Sequence, residues 1–226
     1  MPSFDIVKTS DVEDTFRVSR VMADFDVSKD KVNERFTGTL ELPEEWNVGL
    51  IVGNSGTGKT TIARELFGDI ISNSEKPFGE GSVLDEMPTG ASVEEIERMF
   101  YAVGFGSVPS WLKPYKVLSN GEKMRVKLAR ALLSDDMTVF DEFTSTVDRD
   151  VAKTCCIATE KAVRRAGKKF VAVTCHKDVE AYLQPDWVFD TDTMSSFFAD
   201  ARDRNGSSRS GNAGAENGRS LASITI

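Results

Sequence analysis

Histidine and glutamine each occur once in this 226-residue chain, at His176 and Gln184, and cysteine only three times. Cys155 and Cys156 are adjacent and Cys175 stands apart, which fits neither a disulfide framework nor a metal-binding spacing. They read as small apolar residues of a reducing compartment. No apolar run approaches the length of a membrane span, and Met1-Pro2-Ser3-Phe4-Asp5-Ile6 lacks a charged-then-apolar leader, so the expectation is a cytoplasmic protein without a span of its own. The lack of any long heptad stretch excludes a coiled-coil arm. Basic residues are also short, 28 against 36 acidic for a net charge of −8, which argues against broad, nonspecific nucleic-acid binding.

What is present suffices for one packed α/β domain with a tail, since 40% of residues are apolar. The apolar run Gly49-Leu50-Ile51-Val52 leads into GNSGTGKT, residues Gly53, Asn54, Ser55, Gly56, Thr57, Gly58, Lys59 and Thr60, and then into a helix-like stretch from Thr61 to Phe67. A glycine-rich turn alone can be a plain tight turn. Strand, G-x-x-x-x-G-K-[ST] and helix in sequence is the context of a phosphate loop. Its glycines let successive backbone N–H groups turn inward, and the helix adds its positive end. Lys59 would reach the β- and γ-phosphates, and the Thr60 hydroxyl would ligate Mg²⁺.

A second constellation lies in Met137-Thr138-Val139-Phe140-Asp141-Glu142, a short apolar strand ending in two carboxylates. Such a pair is by itself more often a helix N-terminal charge pair. Beside a phosphate loop, Asp141 becomes a candidate for the Mg²⁺ shell and Glu142 for orienting or deprotonating a water. His176, after the strand Phe170-Val171-Ala172-Val173-Thr174, is a third candidate.

Between them runs Leu118-Ser119-Asn120-Gly121-Glu122, then Arg125 and Ala129-Arg130-Ala131-Leu132; Asp141-Glu142, Thr144-Ser145, Asp148 and His176 follow. Over roughly residues 15 to 190 this order resembles the ATP-binding cassette ATPases. The resemblance implies a P-loop NTPase fold: α/β, with a RecA-like parallel sheet core, an N-terminal antiparallel β-subdomain and a helical insert. It also implies ATP and Mg²⁺ as ligands and a head-to-tail homodimer, or a heterodimer with another such ATPase. Each ATP would lie between the Lys59 loop of one chain and Ser119 and Gly121 of the other. Asp148 would tie the two sites together, and His176 would contact the γ-phosphate. Ser119-x-x-Glu122 is also a capping box, and the two roles can coexist.

Departures from the family pattern carry information too. Asn120 replaces a glycine and Glu122 a glutamine, which places a carboxylate near a polyphosphate and is expected to weaken a closed dimer. Phe143 replaces a proline, with no consequence visible in the sequence. The family's glutamine between loop and signature is missing; Ser82 to Pro88 occupies its place, so Asp85 or Glu86 is the expected metal-facing substitute. The insert, about 76 to 117, has room for one clear helix from Ser92 to Val103, opened by a capping box at Ser92 and Glu95 and presenting Val93, Ile96, Met99 and Phe100.

The rest of the chain is divided as follows. Residues 1 to 203 form the ATPase domain, with the nucleotide core at about 47 to 75 and 118 to 190. Residues 15 to 27 and 34 to 42 read as antiparallel strands of a β-subdomain at about 15 to 45, and Phe25 is the candidate for stacking on adenine. Residues 204 to 226, rich in Gly, Ser and Asn, read as a disordered tail. Arg164, Arg165, Lys168 and Lys169 read as the basic end of a glycine-capped helix. Lys113, Lys116, Lys123, Arg125, Lys127 and Arg130 are expected to face a second subunit's nucleotide.

Asp141 to Arg149 closely resembles the same stretch in small non-transporter members of the family, some of which look fused to an acetyltransferase domain that this chain lacks. The expected activity is ATP hydrolysis driving an intracellular process, with an unknown protein partner. The alternatives are the energy subunit of a transporter, disfavoured by the short insert and missing glutamine, and an ATP-dependent switch that hardly hydrolyses, disfavoured by Glu142 and His176.

Overall fold

A computed structural model describes residues 3–9, 13–27, 34–68, 70–71 and 76–198. The expected tail from 204 onward lies outside the described residues. The elements are β1 (Ser3–Lys8), α1 (Phe16–Phe25), β2 (Glu34–Thr39), β3 (Val48–Val52), α2 (Lys59–Phe67), α3 (Val93–Ala102), α4 (Val108–Trp111), α5 (Asn120–Ser134), β4 (Met137–Phe140), α6 (Arg149–Ala166), β5 (Lys169–Thr174), α7 (Val179–Leu183), β6 (Trp187–Asp190) and β7 (Ser195–Phe198). Five strands form the main sheet in the order β4-β5-β3-β6-β7. The first four run parallel, and β7 is antiparallel to β6.

The apolar runs that suggested strands are continuous because both faces of this sheet are covered. Leu50, Phe170 and Ala172 join a core layer with Phe100 of α3, Leu128 of α5 and Val163 of α6. Their neighbours Ile51, Val171 and Val173 face the other way, toward Ile62 and Ala63 of α2 and Phe4 and Phe36 of β1 and β2. Strand alternation thus sends successive residues into two different layers. Gly49 is required by proximity, since a Cβ there would lie 2.1 Å from the indole of Trp187 on the adjacent strand.

β1 and β2 pair antiparallel from Ser3↔Thr39 to Lys8↔Glu34. This corrects the expectation for residues 15 to 27, which form a helix rather than a strand. Val18, Val21, Met22 and Phe25 repeat at helical spacing, and Thr15 caps the helix by accepting from the Val18 N–H at 3.3 Å. The strand that pairs with β2 is the alternating Ser3-Phe4-Asp5-Ile6, with Phe4 buried.

The insert helix forms as expected, with both arms of the Ser92/Glu95 capping box made. Ile96 and Phe100 are buried, but Val93 is exposed, so its apolar face is narrower than expected. A short α4 and a 3₁₀ turn at Tyr115–Val117 complete it. Cys155 and Cys156 are fully buried, and burial pushes the Cys156 thiol up to about 12.

The basic cluster after α6 is structural. Gly167 ends the helix at φ 64, Lys168 donates to the carbonyls of Leu132 and Asp135 at 2.6 and 3.0 Å, and Lys169 lies over the Trp46 ring. Arg164 pairs with Glu160 and with Asp186. Asp186, 6% exposed, also accepts the Asn47 and Val48 N–H groups, both at 2.8 Å on one carboxylate oxygen, and so clips the start of β3 beside the start of β6. Removing one partner of such a buried pair strands the other. Asp186→Ala is expected to cost about 3 kcal/mol in urea unfolding, whereas Asp186→Asn, which keeps the accepting oxygen, should cost clearly less. Equal losses would show that charge rather than the backbone clip matters.

Candidate functional site

Parallel pairing brings four chain exits to one edge of the sheet. Phe140 pairs with Ala172, Thr174 with Val52 and Val52 with Asp190, so the residues that follow β4, β5, β3 and β6 emerge side by side. These are Asp141-Glu142, Cys175-His176, Gly53 onward and Thr191-Asp192. Ligands bind at this carboxyl edge in open parallel sheets.

The loop after β3 enters α2 at Gly58, which is left-handed at φ 80 and offers no side-chain cap. A Cβ there would lie 2.7 Å from the Phe36 ring, so β2 packs directly on the loop. The uncapped N–H groups of the first helical turn are therefore free of side-chain acceptors and face the loop, an arrangement suited to an anion. Lys59 is buried, and its ammonium donates to the Asn54 carbonyl at 2.5 Å. Thr57 Oγ1 donates to the same carbonyl at 2.9 Å.

At the exit of β4, Glu142 stands at φ 53 and Thr144 at φ 69, both left-handed. The Glu142 N–H donates to Asp141 Oδ1 at 2.9 Å, and Glu142 itself is exposed. Thr144, almost fully buried, has its hydroxyl 3.4 Å from His176 Nδ1. The His176 N–H donates to Thr174 Oγ1 at 3.2 Å. The acidic exit and the histidine exit are thus joined through Thr144, and the imidazole's other nitrogen is not used by that contact.

Comparison with protein-family models gives no match. Among curated proteins, the chain is 28% identical over 181 residues to the lactococcin-G-processing and transport ATP-binding protein of Lactococcus lactis subsp. lactis, covering 58% of this chain and 26% of that one. It is 36% identical over 135 residues to a probable metal transport system ATP-binding protein of Thermotoga maritima, covering 49% of this chain and 55% of that one. The match therefore spans about a quarter and about half of the length of these two relatives. Among solved structures, a dimeric bacterial ABC transporter cassette superposes with TM-score 0.53 at 16% identity, over 70% of this chain and 87% of its own. A transporter cassette in its ADP conformation gives TM-score 0.55 at 15% identity, over 77% and 87%. The fold is thus that of ATP-binding cassettes, and both curated relatives are ATP-binding proteins.

Ser119 caps α5. The Ser119 N–H and hydroxyl both donate to Glu122 Oε2 at 2.9 Å, and the Glu122 N–H donates back to Ser119 Oγ at 3.3 Å. Ser110 Oγ donates to the other carboxylate oxygen at 2.8 Å. These bonds, the Ser119 N–H first among them, hold the Glu122 carboxyl below its ordinary value. Gly121 lies close to Val151 of α6. Asp148 caps α6, accepting from the Asp150 and Val151 N–H groups at 3.1 and 3.0 Å. Among the described residues no hydrogen bond or ion pair joins Ser119, Gly121 or Asp148 to the chain's own phosphate loop.

Three expectations need amendment. Asp85 accepts from Ser82 Oγ at 2.6 Å within its own turn, and Glu86 lies against the backbone of Gly79; no hydrogen bond or ion pair among the described residues brings either to Thr60 or Asp141. Phe25 ends a helix and is 74% exposed, so it is not a strand residue of the β-subdomain. Of the six cations around Ser119, three meet partners within the chain: Lys116 pairs with Glu80, Lys123 lies over Tyr115, and Arg130 lies over Phe78 at 3.5 Å and donates to the Pro77 carbonyl. The aromatic pair Phe78 and Tyr115, stacked at 4.1 Å, draws these cations inward.

Sequence reasoning also missed what Phe143 does. Its N–H donates to the Val173 carbonyl at 2.9 Å, a bond that the family's proline cannot make. Its fully buried ring packs edge-on against Phe140 and Phe170 at 5.8 and 5.4 Å. The only available signal was a bulky apolar residue between acidic and polar neighbours. Phe143→Pro loses ring and N–H together and restricts Glu142 before it, so it is expected to destabilise by about 4 kcal/mol. Phe143→Leu, keeping the N–H, should cost about 1–2 kcal/mol in the same urea titration. Equal losses would show that the backbone bond contributes nothing.

Proposed function

We propose that the chain binds Mg-ATP at the Lys59 loop and hydrolyses it as half of a head-to-tail pair, a second cassette supplying the signature. One observation carries this reading: the phosphate loop, the Asp141-Glu142 turn and His176 leave neighbouring parallel strands at the same sheet edge. In this reading the backbone N–H groups of Gly53 to Thr61 cradle the phosphates, with Ser55 and Gly56 among them. Lys59 would exchange its bond to the Asn54 carbonyl for β- and γ-phosphate oxygens, at little cost because both acceptors are polar.

The donors present suit Mg²⁺. The Thr60 hydroxyl and the Asp141 carboxylate are hard oxygens, and among the described residues no group of three or more His, Cys, Asp or Glu forms a metal cage. Such an ion is therefore held jointly with the nucleotide, as Mg²⁺ usually is. When bound it neutralises charge that develops on the phosphates. Asp85 joins this set only by giving up Ser82. Glu142 orients the attacking water and accepts its proton. His176, its Nδ1 side held by Thr144, turns Nε2 toward the γ-phosphate. Ser119 and Gly121 act on the nucleotide of the other chain, and Asp148 joins the two sites. Phe25 remains exposed and open to a base.

A second reading, the energy subunit of a transporter, is favoured by the names of both curated relatives, which are transport ATP-binding proteins. The short insert and the lack of a glutamine before the signature weigh against it. Co-purification of a membrane protein with the native complex would favour it.

Lys59→Ala is expected to abolish nucleotide binding without unfolding; retained affinity would sink the loop assignment. Glu142→Gln is expected to bind Mg-ATP, to lose about 10² to 10⁴ in hydrolysis rate, and to accumulate as a dimer in sedimentation. Adding Ser119→Arg, which puts bulk where the partner's γ-phosphate would sit, should return it to monomer. A Glu142→Gln chain that stays monomeric in ATP would rule out self-pairing and require a different second cassette.

A further inference from the structure

One carboxylate is fastened to a loop otherwise arranged for anions. β6 runs beside β3 with Asp190 opposite Val52, so Thr191 and Asp192 lie alongside Gly53 and Asn54. The Thr191 N–H donates to the Val52 carbonyl at 2.8 Å, and its hydroxyl is 2.5 Å from Thr57 Oγ1. Asp192 Oδ1 then accepts the Asn54 N–H at 2.8 Å, and the Asp192 N–H donates to Asp190 Oδ1 at 2.8 Å. Lys177, the residue after His176, spans both carboxylates, at 2.9 Å from Asp192 and 3.2 Å from Asp190. The phosphate loop, the end of β6 and the histidine turn are thereby tied in one chain of contacts.

The charges explain why the tie needs a lysine. Two carboxylates beside a phosphate nest would oppose a polyphosphate, most strongly at low salt, because their contacts lie at the surface where ions screen them. Lys59 acts on Asp192 from the loop side, so Asp190, Asp192, Lys177 and Lys59 form a set with two charges of each sign. Nucleotide phosphates draw Lys59 to themselves. Among the described residues, Lys177 is then the one cation in contact with the two carboxylates.

We propose that Lys177 is a positioning residue for nucleotide: it holds Asp192 on the Asn54 N–H and cancels the carboxylate charge that would otherwise repel the phosphates. The proposal rests on the reading that the Lys59 loop binds ATP. Its side chain is 55% exposed, so the ion pairs themselves contribute little to stability and the melting midpoint is expected to move little on substitution.

The test measures the dissociation constant of a non-hydrolysable ATP analogue with Mg²⁺ by calorimetry, at low and at near-physiological salt. Lys177→Ala is expected to weaken binding about five- to tenfold at low salt and less at higher salt. Lys177→Arg should bind within about twofold of the natural chain. The decisive variant is Lys177→Ala with Asp192→Asn, whose amide oxygen still accepts the Asn54 N–H without a charge. It should recover to within about twofold. A prop with no electrostatic role predicts no recovery and no salt dependence, and either result overturns the proposal, as does unchanged affinity in Lys177→Ala. A natural chain that fails to bind the analogue overturns the ATP reading itself, and this proposal with it.

Discussion

The parallel pairing of β3 with β5 on one side and β6 on the other is the constraint on which the site depends. It fixes Val52 opposite Thr174 and Asp190, and that register alone decides which residues stand beside Gly53. The pairing is held at both ends by different means. At the amino edge Asp186 gathers the Asn47 and Val48 N–H groups while its own N–H goes to the Val48 carbonyl at 2.7 Å. In the middle, side-chain volume takes over: Gly49 gives up its side chain so that Trp187 can lie across β3. A slip of one residue would send each side chain into the opposite core layer and set Trp187 against a residue bulkier than Gly49.

That constraint explains how much could be read from the sequence alone. The strand, loop and helix around Gly53 to Thr60 and the two capping boxes were legible because each is a local device, in which the spacing of a few residues determines the backbone. The paired carboxylates and His176 were legible only in order; their meeting through Thr144 is a product of strand register, which no window of sequence contains. Residues 16 to 25 were misread for a related reason. The stretch mixes Val and Phe, which favour strands, with apolar positions at helical spacing, and the Thr15 cap settles the competition in favour of the helix. The cations around the signature were assigned outward because sequence gave no hint that Phe78 and Tyr115 stack on each other and offer them a surface.

Two departures from the family pattern turn out to be solved locally. A carboxylate at Glu122 raises an obvious objection next to a nucleotide, yet in this chain it is an acceptor for three donors, the Ser119 N–H, the Ser119 hydroxyl and the Ser110 hydroxyl. Its carboxylate oxygens are thus engaged by the α5 cap and by the insert that carries Ser110. Phe143 is the reverse case, a replacement that looked inert. It converts a residue without an N–H into one that pins the acidic turn to β5, three positions before the histidine, and its ring fills the space between Phe140 and Phe170. The left-handed backbone at Glu142 and Thr144 on either side is costly for residues other than glycine, and a buried anchor between them is what such a turn needs to persist.

The distribution of polar contacts also separates the two halves of the proposed chemistry. Lys59, Asp141, Glu142, Thr144 and His176 are related through bonded neighbours at one sheet edge. Ser119 and Asp148 are instead helix caps, and among the described residues neither bonds to the loop beside which the nucleotide would lie. A cap has its side-chain oxygen turned back onto its own helix start, so the backbone N–H groups beside it are already organised before any ligand arrives. Residues fixed in place that do not serve their own chain's loop are what a site completed by a second chain requires. The contacts within this chain, by contrast, run from the histidine turn through Lys177 and Asp192 to the Asn54 N–H, so that the histidine turn and the loop after β3 share one set of partners.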